Sequence, residues 1–201
     1  MPSIYDLKPA FQRLLRPVTR SLAACGITAN QVTLAALVIS CFTGGLIAWQ
    51  PDNPSLLLLL PGTLFLRMAL NAIDGMLARE HDMKSKLGAV LNELGDVVSD
   101  VALYLPLALV SGFEPHLIVG LVILAVVVEM TGVVAVQIGA SRNYAGPMGK
   151  SDRAVLFGLI ALLLGLGVPP GFWCTALLSM GILLSAITIL NRSRLALAEA
   201  S

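Results

Sequence analysis

The sequence predicts an all-α, polytopic membrane protein: six transmembrane helices preceded by an amphipathic juxtamembrane helix. Of the 201 residues, 57% are hydrophobic and only 12% are charged, about half the charged share of a soluble domain. Apolar runs long enough to cross a hydrocarbon layer of ~30 Å recur along the chain. Basic residues are confined to alternate connections between these runs, a pattern typical of multi-pass helical proteins.

The first 26 residues are predicted to form the juxtamembrane helix, followed by a membrane domain over residues 27–201. Apolar residues recur there at intervals of three and four, the spacing of one helix face: Ile4, Leu7, Phe11, Leu14, Leu15, Val18 and Leu22. Much of the remaining surface is basic: Lys8, Arg13, Arg16 and Arg20. Such a helix lies on the cytoplasmic membrane surface, where anionic lipid attracts it. The alternative is an ordinary cytosolic helix packed on the bundle. Pro9 and Pro17 can start, kink or break it.

Six apolar runs are expected to cross the membrane. They cover about residues 32–49, 55–72, 87–110, 117–138, 154–168 and 172–190. The second helix is expected to continue to about Arg79, and the short fifth run has the least defined boundary. Proline and glycine mark the connections at 51–54 and 169–171.

The distribution of basic residues predicts the orientation. Twelve of the thirteen Lys and Arg residues lie before the first run, in the second and fourth connections, or after the sixth run, and the other three connections hold none. The thirteenth, Arg67, lies within the second run. Because basic segments stay on the cytoplasmic side, both termini and the two basic connections are predicted to be cytoplasmic.

Polar side chains concentrate where the second run ends. Asn71 and Asp74 are three residues apart and share a helix face with Arg67, which precedes Asn71 by four. Gly75 leaves room for a phosphate or a neighbouring helix, and Arg79 is suited to bind a diphosphate as a bidentate fork.

A second polar stripe follows in the third run. Asn92, Asp96 and Asp100 step by four residues, with Glu93 beside them and Gly88 one turn before. Polar groups in hydrocarbon normally face a cavity, a metal or one another. Two antiparallel helices joined by residues 80–86 can bring both stripes together as oxygen ligands for a hard cation such as Mg²⁺. The alternative is helix packing at the glycines with ion pairs between the acids and Arg67 or Arg79.

These residues resemble the signature of the CDP-alcohol phosphotransferases, membrane enzymes that make phospholipids. The family pattern reads D-x-x-D-G-x-x-A-R, then G-x-x-x-D-x-x-x-D, and every spacing matches from residue 71 to residue 96. The segments 28–33 and 149–153 are also similar to the family's T-P-N-x-x-T and G-K-x-x-R motifs. Asn71 and Asn92 replace the first and third aspartates, as in an uncharacterised bacterial branch of the family.

The resemblance implies a reaction and a set of roles. A phosphatidyl (substituted phosphate) group would pass from a CDP-alcohol, most often CDP-diacylglycerol, to an acceptor alcohol, and CMP would leave. Asp96 would be the general base. The ligands of Mg²⁺ or Mn²⁺ would be Asn71, Asp74, Asn92 and Asp96, with Glu93 as a substitute carboxylate. The CDP and diphosphate would meet Gly75, Arg79, Gly88, Asn30 and Thr33. Asn30 and Thr33 have an alternative role in starting and capping the first transmembrane helix.

The resemblance also implies a homodimer in the bacterial inner membrane, in contact with membrane lipid, with the active site at the cytoplasmic face and no nucleic-acid partner. A catalytically degenerate relative that binds CDP-lipid or a partner without turnover is the alternative, favoured by the two asparagines. A transporter is disfavoured because broken spans and repeated halves are missing.

Two further polar features lie outside this motif. Arg142, Lys150 and Arg153 form a basic group that can hold a phosphorylated acceptor or lipid headgroups, or can simply set topology. Glu129, within the fourth run, is expected to make a polar contact inside the bundle, with Arg67 as a candidate partner.

Overall fold

The computed structural model describes the backbone of residues 4–200 and the side chains of residues 9–200. The predicted face positions Ile4, Leu7 and Lys8 therefore lie outside the described side chains. Within the described residues the chain is all-α, as predicted, with no strand. Its helices are α1 Ile4–Ala24, α2 Ala29–Trp49, α3 Pro54–Leu57, α4 Leu59–Glu80, α5 Lys86–Tyr104, α6 Pro115–Gln137, α7 Lys150–Gly165 and α8 Phe172–Ala200, with a 3₁₀ helix at Leu105–Leu109.

Four helical segments are long and apolar enough to cross a membrane. They are Ala29–Trp49, Pro54–Glu80 (α3 with α4), Pro115–Gln137 and Phe172–Ala200. α5 is not among them because four charged residues interrupt its 19 residues: Lys86, Glu93, Asp96 and Asp100. α7 is only 16 residues long. Six spans therefore stay a prediction, and four are supported by length and composition.

The helix starts are fixed by local hydrogen bonds. α2 begins before the predicted residue 32 because Thr28 caps it: the Gln31 amide N–H donates to Thr28 Oγ1 at 3.3 Å, and Gln31 Oε1 accepts from the Thr28 amide at 2.9 Å. α7 begins before the predicted residue 154, because Asp152 Oδ2 accepts from the Gly149 amide at 2.9 Å.

The helix ends also differ from the predicted ones. α1 is one helix through Pro9 and Pro17. The third predicted span ends as α-helix at Tyr104 and tightens into the 3₁₀ helix, where Pro106 lacks the amide donor that an α-helix needs. α8 runs on from the predicted end at residue 190 to Ala200.

The chain forms two compact units. The first holds the described residues up to Cys41 together with Thr63–Ser99. Its core joins Ala29 and Val32 of α2 to Ile73 and Leu77 of α4, and α1 contributes Leu15 and Leu22 beside them. Arg16 of α1 forms a salt bridge of 2.9 Å with Glu80 at the end of α4. α1, which the sequence predicts to be juxtamembrane, therefore packs against the helix that carries the first polar stripe.

The second unit holds Phe42–Gly62 together with the described residues from Asp100 onward. In it α6 packs against α8 and the 3₁₀ helix, and α7 packs against α3 and α8. Tyr104 and Phe157 stack with ring centroids 4.1 Å apart. Between the helices, Asp52 accepts hydrogen bonds from the Ser111 amide at 2.7 Å and its hydroxyl at 2.9 Å, which lower the pKa of Asp52.

Two neighbouring glycines in this unit give a matched stability test. A Cβ on Gly44 would collide with the Ala102 carbonyl, a backbone group that cannot rotate away, whereas a Cβ on Gly45 would meet nothing within 4 Å. We expect Gly44→Ala to lower the free energy of unfolding by about 1–3 kcal/mol. Gly45→Ala should leave it unchanged or raise it by up to ~1 kcal/mol, because alanine favours helix. Thermal unfolding in detergent compares the two, and equal midpoints would contradict the close contact at Gly44.

Candidate active site

Asp74 is the buried carboxylate of the first polar stripe. It lies on α4 with 6% of its surface exposed. The Thr33 hydroxyl of α2 lies 2.8 Å from Asp74 Oδ2 and 3.1 Å from the Ala29 carbonyl. Thr33 therefore orients the Asp74 carboxylate. The capping contact at the start of α2 is made by Thr28 rather than by Asn30 or Thr33.

Asp96 joins the two polar stripes, as predicted from their helical spacing. Its Oδ1 accepts from Asn71 Nδ2 at 3.1 Å and from Arg67 Nη2 at 3.3 Å, and Arg67 Nη2 also donates to the Asp96 carbonyl at 2.8 Å. Arg67 is 4% exposed, whereas the Asp96 side chain is 26% exposed. The buried guanidinium compensates the charge of a carboxylate that can still be reached from outside.

Polar side chains of neighbouring residues lie against the two motif glycines, Gly75 and Gly88. A Cβ on Gly75 would lie 3.2 Å from both terminal nitrogens of Arg79, so the guanidinium of this exposed arginine rests over the glycine. A Cβ on Gly88 would lie 2.7 Å from Asn30 Oδ1 and 3.0 Å from Ser85 Oγ. Asn30 and Gly88 are thus brought together, as are Gly75 and Arg79.

The remaining predicted ligands are less enclosed. Asn92 is exposed and Glu93 half-buried on α5. Within the described residues, no three His, Cys, Asp or Glu side chains gather as a ligand set. A hard cation here would be held by the carboxylates of Asp74 and Asp96 with amide oxygens from Asn71 and Asn92. An all-oxygen set suits Mg²⁺ or Mn²⁺, with a smaller negative charge than four aspartates would give.

A separate polar cluster lies in the second unit around Glu129. We call it the Glu129 cluster: Glu129, Asp100, Arg142, Arg153 and Arg192. Arg153 Nη2 lies 2.9 Å from Glu129 Oε1 and 3.1 Å from Asp100 Oδ2. The polar contact expected for Glu129 is confirmed, but its partners are arginines of its own unit, whereas the candidate partner Arg67 pairs with Asp96. Asp100 belongs to this cluster through its contact with Arg153.

The Glu129 cluster includes two of the three predicted basic residues, Arg142 and Arg153, while Lys150 is the first residue of α7. Arg192 was missed. In the sequence it sits in a polar tail next to exposed Arg194, and no spacing distinguishes it as buried, yet only 1% of it is exposed. Gly132 leaves room for the guanidinium of Arg142, because a Cβ at position 132 would lie 2.6 Å from Arg142 Nη1.

The amino-acid sequence is similar to a known protein family and to individual bacterial proteins. The profile of the CDP-alcohol phosphatidyltransferase family matches residues 26–190. Inner membrane protein YnbA of Escherichia coli (strain K12) is 45% identical over 192 residues, covering 96% of this chain and 95% of that protein. Phosphatidylinositol phosphate synthase of Mycolicibacterium smegmatis is 27% identical over 206 residues, covering 96% of this chain and 88% of that one.

Solved structures share the fold. Mycobacterium tuberculosis phosphatidylinositol phosphate synthase with CDP-DAG bound matches with a TM-score of 0.75 and 19% identity, covering 94% of each chain. A second structure of that synthase, in complex with manganese and citrate, also gives a TM-score of 0.75, with 20% identity over 90% of this chain and 88% of that one.

Proposed function

Because the chain belongs to the CDP-alcohol phosphatidyltransferase family, whose members are enzymes, we propose that it transfers the phosphatidyl group of CDP-diacylglycerol to an acceptor alcohol and releases CMP. The observation that carries this proposal is the Asn71–Asp96 hydrogen bond of 3.1 Å, which joins the two halves of the family motif. The CDP-DAG bound to the Mycobacterium tuberculosis relative supports the choice of donor.

The residues of the first unit then take distinct roles. Arg79, over Gly75, binds the diphosphate, and Asn30 beside Gly88 meets the nucleotide. Asp96 accepts the proton of the acceptor hydroxyl, whose oxygen attacks the lipid-bearing phosphorus. The bond from that phosphorus to the bridging oxygen breaks, and CMP leaves with the bond electrons. Arg67 positions the Asp96 carboxylate for this step. Charge neutralisation at the diphosphate supplies most of the acceleration in phosphoryl transfer.

A divalent cation, Mg²⁺ or Mn²⁺, would be held by Asp74 and Asp96 with the amide oxygens of Asn71 and Asn92, and with Glu93 as a substitute carboxylate. When bound it neutralises the diphosphate. The manganese in the Mycobacterium tuberculosis relative supports this assignment. The two asparagines bring no charge, so the affinity should be lower than in a four-aspartate site.

The cation site gives the next prediction. Crystals soaked in Mn²⁺ should show anomalous density within ligand distance of Asp74, at partial occupancy. In a Mn²⁺ titration, Asn71→Asp and Asn92→Asp should each bind the ion more tightly than the wild type, because each adds a negative charge. An anomalous map without a peak beside Asp74 would exclude the proposed ligand set.

Purified protein in detergent tests the function itself. Incubation with CDP-diacylglycerol, Mg²⁺ or Mn²⁺ and a panel of alcohols should release CMP with at least one acceptor. The alternative, a degenerate relative that binds CDP-lipid without turnover, is favoured by Asn71 and Asn92. It predicts Mn²⁺-dependent binding of CDP-diacylglycerol with no CMP from any acceptor.

The arrangement in the membrane is also part of the proposal. We propose that α5 and α7 complete six spans within one membrane domain over residues 27–201, behind a juxtamembrane helix. The protein would lie as a homodimer in the bacterial inner membrane, with the active site and both termini at the cytoplasmic face. The inner-membrane relative supports the location, and the segregation of basic residues supports the orientation.

Cysteine labelling in intact cells tests this orientation. The native Cys25, Cys41 and Cys174 are free thiols and must first be replaced. Single cysteines in the connections at 50–54, 111–116 and 169–171 should react with an impermeant reagent from outside, and those in 80–86 and 142–153 should not. Labelling of a cysteine at position 84 from outside would overturn the orientation and move the active site to the other face.

A further inference from the structure

The Glu129 cluster is not used by the proposed reaction, although it concentrates most of the buried charge of the second unit. Three guanidinium groups approach one carboxylate: Arg153 at 2.9 Å, Arg142 at 3.3 Å and Arg192 at 3.7 Å. Asp100 adds a second carboxylate, 3.1 Å from Arg153. Arg153 and Arg192 are almost completely buried. With three positive and two negative groups, the cluster keeps a single net positive charge.

Converging arginines are the groups that proteins use to bind phosphate, because each guanidinium can donate to two oxygens at once. The sequence left two roles open for Arg142, Lys150 and Arg153: holding a phosphorylated acceptor or lipid headgroups, or setting the membrane topology. In the structure, the position that faces all three arginines is taken by the carboxylate of Glu129. Glu129 thus occupies the place that an incoming phosphate would need.

Five further hydrogen bonds join the three arginines of the cluster to backbone carbonyls. The bonds run from Arg192 to three carbonyls, from Arg142 to one and from Arg153 to one; the acceptors are Val128, Tyr144, Ala145, Glu129 and Met148. These bonds hold the guanidinium planes around Glu129. A phosphate could bind only by displacing a buried carboxylate, and an unpaired carboxylate in the interior is costly.

We propose that Glu129 is a built-in counter-ion that closes this arginine cluster to phosphate and thereby selects an acceptor alcohol that carries no phosphate group. The part that concerns the acceptor rests on the proposed function. Exclusion by a like charge is an efficient way to discriminate. The Glu129 carboxylate would repel the phosphate and already contacts a terminal nitrogen of each of the three arginines.

Phosphate binding by the full-length protein in detergent tests the closure directly. The thermal unfolding midpoint is measured at increasing concentrations of inorganic phosphate, and chloride at matched ionic strength is the reference. The wild-type midpoint should not respond. Glu129→Gln should unfold at a lower temperature, because three arginines lose their partner, and phosphate should restore the midpoint saturably. The variant should bind phosphate at least about tenfold more tightly than the weakest binding that the titration would detect in the wild type, the gain that one charge-assisted contact gives.

Glu199→Gln is the matched control. Glu199 is an exposed carboxylate of the same unit that accepts hydrogen bonds from the Ser141 amide and hydroxyl rather than from an arginine. It should leave the phosphate response as in the wild type. Two results would overturn the proposal: equal phosphate affinity in wild type and Glu129→Gln, or wild-type phosphate binding that Arg192→Gln abolishes. The second needs no Glu129 variant, so it applies even if Glu129→Gln does not fold.

Acceptor choice tests the consequence for specificity. Glycerol and glycerol 3-phosphate form a pair that differs by one phosphate group. Where the wild type releases CMP, its kcat/KM should favour glycerol by about tenfold or more, and Glu129→Gln should narrow this ratio. A wild-type preference for the phosphorylated member would contradict the inference. Neither alcohol of this pair need be an acceptor, and the protein as a whole need not release CMP, for the closure to be tested. In both cases the phosphate titration still decides whether Glu129 closes the cluster, and it does so separately from the proposed function.

Discussion

Asp96→Asn is expected to reduce CMP release by about 10²–10⁴-fold, the usual loss when a general base is removed. Asparagine can still offer an oxygen to a cation and still contact Asn71, but it cannot take the proton of the acceptor hydroxyl. Binding of CDP-diacylglycerol should therefore stay close to the wild-type value. Single-turnover CMP release and equilibrium binding of the donor, measured on the same preparation, separate the two effects.

Three variants control this experiment. Asp82→Asn changes an exposed acid in the loop before α5, at a backbone φ of 55° that asparagine adopts readily, and it should be neutral. Glu93→Gln and Asp100→Asn test the neighbouring acids of α5. If Asp96→Asn keeps full turnover while Glu93→Gln or Asp100→Asn abolishes it, the general base lies elsewhere on α5. The residue assignment would then be wrong, although the reaction class would stand.

Arg153→Met is expected to lower the free energy of unfolding by about 3–5 kcal/mol, the range measured when one partner of a buried ion pair is removed. The methionine has a similar volume but leaves Asp100 and Glu129 without a guanidinium that touches both, at 3.1 Å and 2.9 Å. Chemical or thermal unfolding in detergent measures the loss.

Arg194→Met is the matched control for this loss, because Arg194 is an exposed arginine on α8, two residues after buried Arg192. It should change the unfolding free energy by no more than about 0.5 kcal/mol. Equal effects of Arg153→Met and Arg194→Met would show that the Glu129 cluster contributes little to stability.

Sequence reasoning predicted the helices and the joining of the polar stripes because both depend on local spacing. An apolar run of about 20 residues requires a helix in a bilayer, and residues three or four apart share a face. The Asn71–Asp96 contact follows from two such stripes on helices joined by a short loop. The number of spans does not follow from local spacing, because the acids that mark the site also lower the hydropathy of α5.

Partner choice could not be predicted in the same way. Among the described side chains, six Lys and Arg residues are buried or half-buried: Arg16, Arg67, Arg142, Lys150, Arg153 and Arg192. Only the packing of the second unit selects Arg142, Arg153 and Arg192 as the partners of Glu129. The Thr33–Asp74 bond joins residues 41 positions apart, and helical periodicity fixes only which face each side chain occupies. The collision that excludes a Cβ at Gly44 likewise depends on a backbone oxygen of a distant helix.

The stoichiometry of transfer tests the central claim most directly. CDP-diacylglycerol labelled separately in the cytidine and in the lipid is incubated with the wild-type protein, Mn²⁺ and an accepting alcohol. We expect one CMP for each new lipid phosphodiester, and loss of both products in Asp96→Asn. Retention of the cytidine label on the protein, with no CMP and no phosphodiester from any alcohol in the panel, would contradict the assignment of this chain as an active phosphatidyltransferase.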